Sequence, residues 1–340
     1  MHIQVIRKIQ DFDALAVEWN ELLRVSASHV PFLRHEFIST WWRTLGGGEW
    51  EHGDLFVLTG YGEDGALRGA APLFLTQNRE GAAALMLLGS IEIADYLDIL
   101  ARPADLPRLV SGMLDFLYGP QAPDWQVLDL YNILEDSPSL PALQAEAERR
   151  GLAITQEKLQ HCPYIPLPGD WETYLAGIDK KQRHEIRRKI RRTENQEQPV
   201  RWYIVGDKRS LESEIEALFD LMAQDVEKQA FLTDAMRAQM RLVMKAAFDA
   251  GWLQLAFMEI GGVKAAGYLN FDYANHIWVY NSGLDYRFGS LSPGWVLLGY
   301  LLQWANDNKR EAFDFMRGNE DYKYRFGGVD RFVVRARVKR

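Results

Sequence analysis

One order of predicted elements occurs twice in the chain, and this repetition limits the fold more than any other feature of the sequence. Apolar runs separated by glycine-containing turns predict, for the first half, strands at 55–59, 69–75 and 84–89, a helix at 105–118 and a strand at 126–130. For the second half they predict strands at 253–257, 265–271 and 277–280, a helix from Ser292 and a strand at 312–316. Asp129 in VLDLY also matches Asp314 in AFDFM. Both halves are therefore predicted to be β-β-β-α-β units that arose by internal duplication.

The length favours two domains rather than one, because 340 residues with 47% hydrophobic content can build more than a single core. A boundary is predicted near 150–165, where Pro163, Pro166 and Pro168 favour extended chain. This gives an N-terminal domain, 1–160, and a C-terminal domain, 161–340, in an α/β protein.

The junction between the third strand and the helix of the second repeat has the composition of an anion site. In GSLSPG, residues 289–294, Ser292 is a good N-cap and Pro293 suits the first helical position. A helix start exposes backbone N–H groups and the positive end of a dipole, so it can hold a phosphate. The alternative is an ordinary capped βα connection. The first repeat has ARPADLP instead, so we predict that the second domain holds a phosphate-bearing cofactor and that the first shapes the substrate cleft or serves as scaffold.

Five segments together resemble the GNAT acyltransferase superfamily: FLRHEFISTWW, DYLDIL, QRHEIRRKIRR, YNSGLDYRFGSLSPGWVLL and FDFMRGNEDYKYRFG. Within it, the chain is most similar to the tandem-domain branch of CelD/BcsL-like acetyltransferases of cellulose biosynthesis, which is related to the Fem-type aminoacyl transferases. The usual Arg/Gln-x-x-Gly-x-Gly/Ala signature for pyrophosphate is absent. The resemblance implies an α/β (α+β) fold of two tandem GNAT-like units, each a mixed β-sheet flanked by helices.

The resemblance also implies where acetyl-CoA, or another acyl-CoA, would bind. The cleft would lie between two splayed parallel strands, 277–280 and 312–316. A backbone N–H among Tyr280, Asn281 and Ser282 would polarise the thioester carbonyl. Amides from 290 to 294 would hold the pyrophosphate; the residues concerned are Ser290, Leu291, Ser292 and Gly294.

Acylation of an amine requires a base, donors for the oxyanion and an acid for the leaving thiolate. The charged stretch 317–326 follows a predicted strand, and strand C-termini border ligand crevices in α/β sheets. We predict Glu320 as the base, directly or through water, and Tyr322 or Tyr324 as the acid. Arg317 and Lys323 are predicted to bind an anionic substrate or a phosphate. The alternative is a solvated helix face in which Glu320 pairs with Lys323, or a Tyr324 packed in the core.

Two further groups of charges are candidates for substrate binding. Asp95 and Asp98 lie in an apolar stretch where strand geometry would direct them to opposite faces, and we prefer Asp98 as the one facing the cleft; a turn or capping role is the common alternative. The basic helix 178–192 contains eight Lys/Arg and one Glu between 180 and 192, in a chain of net charge −8. Arg183 and Arg187 are predicted to recognise an anionic substrate such as a nucleotide sugar or polysaccharide. A solvated helix and a membrane-surface contact are the alternatives.

Several classes of protein are disfavoured. The single cysteine, Cys162, excludes an intrachain disulfide, and no Cys-His or Ser-His-Asp pattern or metal-ligand spacing stands out, so no metal is expected. An acidic chain with one basic block does not suggest DNA binding. No signal peptide or transmembrane segment is read from the sequence, and a cytoplasmic location is expected.

The sequence thus predicts an acyltransferase, most simply an N-acetyltransferase that acts by direct attack on a small-molecule or amino-sugar acceptor, which can be anionic. The enzymatic alternative is a Fem-type transferase that uses charged tRNA and acts on a peptide or cell-wall precursor. The non-enzymatic alternative is a GNAT-fold scaffold in polysaccharide biosynthesis. The acceptor, the acyl length and the oligomeric state are not specified by the sequence.

Overall fold

The computed structural model describes all 340 residues and separates them into two units. The strands are β1 (His2–Ile6), β2 (Asp54–Tyr61), β3 (Leu67–Gln77), β4 (Ala83–Leu87), β5 (Leu100–Ala101), β6 (Val127–Leu134), β7 (Ile154–His161), β8 (Tyr164–Pro166), β9 (Val200–Ile204), β10 (Leu253–Ile260), β11 (Val263–Tyr273), β12 (His276–Leu284), β13 (Ala312–Asp314) and β14 (Phe332–Lys339). The helices are α1 (Ile9–Asp13), α2 (Ala16–Leu23), α3 (His35–Gly48), α4 (Leu106–Leu117), α5 (Ser139–Arg149), α6 (Trp171–Gly177), α7 (Lys180–Glu194), α8 (Leu211–Met222), α9 (Val226–Phe231), α10 (Asp234–Asp249), α11 (Pro293–Asp307) and α12 (Asp321–Arg325). Short 3₁₀ helices cover Pro31–Leu33 and Tyr286–Leu291. None of the helices is both long enough and apolar enough to cross a membrane.

The first unit contains residues 1–160 and 332–340 around a mixed sheet of order β1-β2-β3-β4-β6-β14-β7, with β5 paired to β3. Its strands β1 to β4 are antiparallel neighbours, whereas β4 and β6 are parallel. The connection between those two parallel strands contains α4, which buries one apolar face.

The second unit, residues 161–331, repeats this plan in a sheet of order β8-β13-β12-β11-β10-β9. Strands β9 to β12 are antiparallel neighbours, and β12 and β13 are the single parallel pair, joined through α11. The predicted β-β-β-α-β order is therefore present in both units, and the predicted fold class, two units with mixed sheets flanked by helices, is confirmed.

The division at 160/161 lies where the sequence predicts it, but the last residues belong to the first unit rather than the second. Strand β14 pairs with β6, and its apolar side chains are buried. Arg335 of β14 donates two hydrogen bonds of 2.7 Å to the buried carboxylate of Asp129. Assigning 332–340 to the C-terminal domain was therefore wrong, because this strand completes a sheet whose partner lies about two hundred residues earlier in the chain.

The packing of α11 positions the candidate site of the second unit. Its apolar residues Val296 to Leu302 are almost entirely buried against β11 and β12. The basic helix α7 has a narrow apolar face, Ile186 and Ile190, and both side chains lie against the α11 backbone at Gly299, where an added Cβ would be 3.2 Å from Ile190. The glycine thus brings the two helices close together, and the charged α7 lies along the start of α11.

Candidate functional site

A cleft opens in the second sheet where the parallel strands β12 and β13 separate. Their pairing ends at Trp278 and Asp314, although β12 continues to Leu284. The β13-facing edge of β12 beyond Trp278 is consequently not covered by a strand. A β-bulge also interrupts the register between β12 and β11, which skips Tyr280. The two strands correspond to the splayed parallel pair, 277–280 and 312–316, that the GNAT resemblance implies.

A pocket of about 370 Å³ lies beside the last residues of β12, beyond its pairing with β13, and reaches the beginning of α11. It is lined by residues from β11, β12, the 3₁₀ turn, and helices α7, α11 and α12. The lining residues are Lys189, Tyr268, Ser282, Leu284, Asp285, Tyr286, Gly289, Ser292, Pro293, Gly294, Trp295, Leu298 and Tyr322. Of the predicted cofactor-binding residues, Ser282, Ser292 and Gly294 line the pocket.

The helix start differs in detail from the prediction. Helix α11 begins at Pro293, but Ser292 adopts a left-handed conformation (φ 55°, ψ 51°) and its side chain makes no capping hydrogen bond. The N–H of Ser292 donates to Gly289 O at 3.0 Å, and Ser290 and Leu291 are the last two residues of the preceding 3₁₀ turn. The Ser292 amide is therefore engaged within the turn, and Ser290 and Leu291 lie in the 3₁₀ turn rather than in the first turn of α11. The first-turn amides of Gly294 and Trp295 have no acceptor within the helix. They lie at the positive end of the helix dipole, and both residues line the pocket.

The remaining predicted cofactor residues have other contacts. The ring of Tyr280 packs against Phe271 with 5.4 Å between ring centres. The side-chain oxygen of Asn281 accepts the N–H of Ser282 at 2.9 Å, so that amide is not available to a thioester carbonyl. Neither Tyr280 nor Asn281 lines the pocket.

Two tyrosines in the pocket wall stay protonated. Burial raises the pKa of Tyr268 well above its usual value, and its hydroxyl donates to Gly294 O at 3.4 Å. Burial, reinforced by the charge of Glu320, also raises the pKa of Tyr322. The Tyr322 ring packs edge-on against Phe315, and its hydroxyl has no hydrogen-bond partner in the chain. Tyr322 therefore presents a proton donor to the pocket.

The second predicted acid lies elsewhere. The hydroxyl of Tyr324 donates to Asp330 at 3.3 Å, and Asp330 also contacts His161 at 2.6 Å. Tyr324 does not line the pocket. On a helix as short as α12, side chains two positions apart point in different directions, and only Tyr322 faces the pocket.

Lys323 cannot bind a substrate anion as predicted. Its side chain is 3% exposed, and Nζ donates to Arg317 O at 2.8 Å, to Gly318 O at 3.1 Å and to the Glu320 carboxylate at 2.9 Å. All three ammonium protons are thus used to hold the turn after β13. Glu320 is itself largely exposed and, with Arg317, does not line the pocket. The pairing of Glu320 with Lys323 matches the alternative considered from the sequence.

The basic helix presents a lysine to the pocket rather than the predicted arginines. Arg183 donates to the carbonyls of Leu175 and Ala176 at the end of α6, and Arg187 forms an ion pair with Glu172. Both side chains therefore stabilise the packing of α6 against α7, and neither lines the pocket. Lys189 is the α7 residue that reaches the pocket, with Nζ 4.2 Å from the ring centre of Trp295.

Asp98, predicted to face the substrate cleft, is fully buried within the first unit. Its carboxylate accepts hydrogen bonds from the Ser28 and Ser137 hydroxyls and from the N–H of Ile99. Residues 95–99 form no strand, so the argument from strand faces does not apply. Asp98 joins three segments of the first unit and has a structural role.

Lys228 was missed by the sequence analysis. Its Nζ donates to Ser282 O at 2.5 Å, next to the pocket. Burial lowers the pKa of Lys228, and the charges of Asp225 and Glu320 offset only part of this effect. Asp225 also caps α9 through the amides of Glu227 and Lys228. An aspartate such as Asp225 before a short helix favours a capped start, but no local pattern indicates that Lys228 contacts β12.

Comparison with known proteins identifies the domain that contains this pocket. The sequence profile described as "Acetyltransferase (GNAT) domain" matches residues 180–324, which run from the start of α7 into α12 and include the whole pocket. The chain carries a GNAT domain. The resemblance inferred from the sequence is thereby confirmed. No curated protein matches the sequence significantly.

Solved structures resemble the whole chain, not the GNAT domain alone. FemX is 11% identical, with a TM-score of 0.65 over 99% of this chain and 97% of that one. A conserved protein of unknown function from Bacteroides thetaiotaomicron is 12% identical, with a TM-score of 0.58 over the full length of both chains. L-PGS from Bacillus licheniformis is 13% identical, with a TM-score of 0.57 over 94% of this chain and 90% of that one. At these identities the likeness establishes the tandem fold, and the substrate must be argued from the site.

Proposed function

We propose that this GNAT protein transfers an acyl group from acyl-CoA, most simply acetyl-CoA, to the amine of a small molecule or amino sugar. The observation that carries the proposal is the coincidence, in one pocket, of the α11 helix start and the protonated Tyr322 hydroxyl at the end of the β12–β13 pairing. An acyl-CoA carries a diphosphate, and a thioester at the end of the pantetheine arm that the diphosphate bears, and this pocket offers a suitable partner for each.

The chemistry of the pocket suits a diphosphate. The amides of Gly294 and Trp295 supply two donors at the positive end of α11, and Lys189 adds a cation at the same mouth. The one carboxylate in the lining, Asp285, is neutralised by hydrogen bonds from Nε and Nη2 of Arg287, which also lower the pKa of Asp285. The uncovered edge of β12 offers backbone groups to the amide-containing arm between diphosphate and thioester.

The residues proposed for proton transfer follow from the same geometry. Tyr322 would donate its proton to the departing thiolate, since burial keeps the hydroxyl protonated at neutral pH. The attacking amine must lose a proton, and Glu320 remains our candidate for accepting it through water, because its carboxylate is exposed and acts electrostatically on both Tyr322 and Lys228. Lys228, fixed on Ser282 O, would hold the β12 edge in place during the reaction. The half-buried Arg317 stays a candidate for contact with an anionic acceptor.

Aminoacyl transfer from charged tRNA is the second candidate. It is supported by the likeness to FemX over nearly the whole of both chains and by the exposed cations of α7. A non-catalytic scaffold role in polysaccharide synthesis is the third candidate. For the main proposal, acyl transfer from acyl-CoA, we propose a cytoplasmic location.

Calorimetric titration of the full chain with acetyl-CoA, followed by an assay of thiol release with a panel of amines, tests the proposal. We expect saturable 1:1 binding and amine-dependent release of CoA. Acyl transfer that requires charged tRNA, in a protein that does not bind CoA, would favour aminoacyl transfer instead. Binding of CoA without turnover on any acceptor would favour the non-catalytic role.

A further inference from the structure

A second open groove, of about 800 Å³, lies between helices α7 and α12. Its lining is mostly charged and consists of Lys181, Gln182, His184, Glu185, Arg188, Asp321 and Arg325. None of these residues lines the pocket at the start of α11, and none belongs to the arginines predicted to bind substrate. The groove is therefore a separate feature of the GNAT domain that the proposed reaction does not yet use.

The groove has an excess of positive charge. Arg188 makes a bidentate pair with Glu185, and Arg325 pairs with Asp321, so the two carboxylates are matched within the groove. Lys181 makes no ion pair and is exposed at the first turn of α7, where the backbone dipole adds to its charge. A phosphate bound here would face the unpaired ammonium of Lys181. It would also face the guanidinium groups of Arg188 and Arg325, which have enough N–H donors to bind the phosphate and keep their carboxylate partners.

The groove adjoins the pocket across the same two helices. On α7, Arg188 lines the groove and the next residue, Lys189, lines the pocket. On α12, Asp321 lines the groove and Tyr322 lines the pocket. A ligand whose diphosphate lies at the mouth of α11 can therefore extend a second phosphate across Lys189 into the groove.

We propose that this groove binds the 3′-phosphate on the ribose of CoA, so that Lys181, Arg188 and Arg325 select the phosphorylated donor. The inference rests on the proposed function, because the 3′-phosphate belongs to the acyl-CoA that we propose as the donor. The groove is open enough for the dianionic phosphomonoester to keep part of its hydration, so the contribution is that of exposed charge-assisted hydrogen bonds rather than of a buried ion pair.

The experiment compares CoA with 3′-dephospho-CoA, which differs only in lacking this phosphate. Calorimetry at one fixed ionic strength should give about tenfold tighter binding of CoA to the wild-type protein. The variant Lys181→Gln/Arg188→Gln should lose most of this preference while its affinity for 3′-dephospho-CoA stays the same. The control Arg192→Gln removes an exposed charge from the same helix outside the groove and should keep the preference.

Each contrary result has a distinct meaning. Equal affinity of the wild-type protein for the two ligands overturns the groove assignment and leaves the proposed function intact, and this comparison requires no variant. An equal loss of preference in Arg192→Gln overturns it too, since the effect would then be one of overall charge. If neither ligand binds, the proposed function fails with it; if a short single-stranded RNA ending in adenosine binds instead and the groove variant weakens it, the groove belongs to a polynucleotide.

Discussion

The ammonium of Lys189 lies 4.2 Å from the centre of the Trp295 ring and thereby joins the basic helix α7 to the first turn of α11. Both residues line the pocket, and the amide of Trp295 is one of the two first-turn donors. The contact holds a cation beside the helix dipole, where two independent sources of positive potential add. It is how a single basic helix in an acidic protein would contribute to the phosphate site that we propose at the start of α11.

Lys189→Met keeps most of the apolar stem over Trp295 and removes the charge. We expect acetyl-CoA affinity to fall about threefold to tenfold and to depend less on salt, because one cation–phosphate contact is lost. Isothermal titration at low and physiological ionic strength measures both effects. Arg192→Gln, an exposed charge on the same helix, is the matched control; an equal decrease there would deny Lys189 a specific role.

Tyr322→Phe removes the pocket hydroxyl with little change in packing. Turnover should fall by about a hundredfold or more while acyl-CoA affinity stays nearly constant, as expected for loss of a general acid. Tyr324→Phe should have little effect, because its hydroxyl contacts Asp330 away from the pocket. Steady-state kinetics of thiol release decides between them, and the reverse order of effects would reassign the acid.

The pH dependence of the wild-type rate provides a second check on Tyr322. Burial raises the pKa of Tyr322 above its ordinary value near 10, so the proton-donating form persists to higher pH than in an exposed tyrosine. The rate should therefore show no alkaline loss from this group between about pH 7 and pH 9. A fall in kcat with an apparent pKa below 9 that disappears in Tyr322→Phe would show that the hydroxyl titrates earlier than its burial implies.

Glu320→Gln should lower turnover and leave cofactor affinity nearly unchanged if the carboxylate accepts the proton of the amine. Its exposure and its ion pair with Lys323 give it access to solvent but no place in the pocket lining. Glu197→Gln, an exposed carboxylate on the turn after α7, serves as the control. Unaltered turnover in Glu320→Gln would remove Glu320 from the mechanism and leave its pairing with Lys323 as its role.

Asp98→Ala should destabilise the first unit by about 2–4 kcal/mol, because two serine hydroxyls and the amide of Ile99 lose a buried acceptor. Chemical denaturation followed by tryptophan fluorescence measures the change. Acetyl-CoA binding to the folded variant should be retained, as expected for a structural residue; full stability combined with a raised acceptor KM would restore Asp98 to the substrate site.

The repeated strand order was predictable because it depends on local patterns, namely apolar runs and glycine turns, which each repeat carries independently. The match of Asp129 with Asp314 was likewise visible, and each aspartate receives an arginine within its own unit, Arg335 and Arg331 respectively. The placement of β14 was not predictable, because nothing near residue 332 indicates that its hydrogen-bonding partner is β6.

Sequence patterns indicated the segments that line the candidate pocket but not the direction of their side chains. The start of α11 and the stretch after β13 could be read from turn and cap residues, whereas the choice between Tyr322 and Tyr324 depends on how a five-residue helix is rotated. Arg183 and Arg187 were selected for charge and spacing, yet the apolar residues Ile186 and Ile190 determine which face of α7 packs on α11 and which cations remain for a ligand.

Crystallisation of the full chain with CoA tests the central claim most directly. We expect diphosphate oxygens within hydrogen-bonding distance of the amides of Gly294 and Trp295, with the thiol directed along β12 toward the hydroxyl of Tyr322. A CoA molecule bound elsewhere on the protein, with the start of α11 filled by side chains or solvent alone, would contradict it.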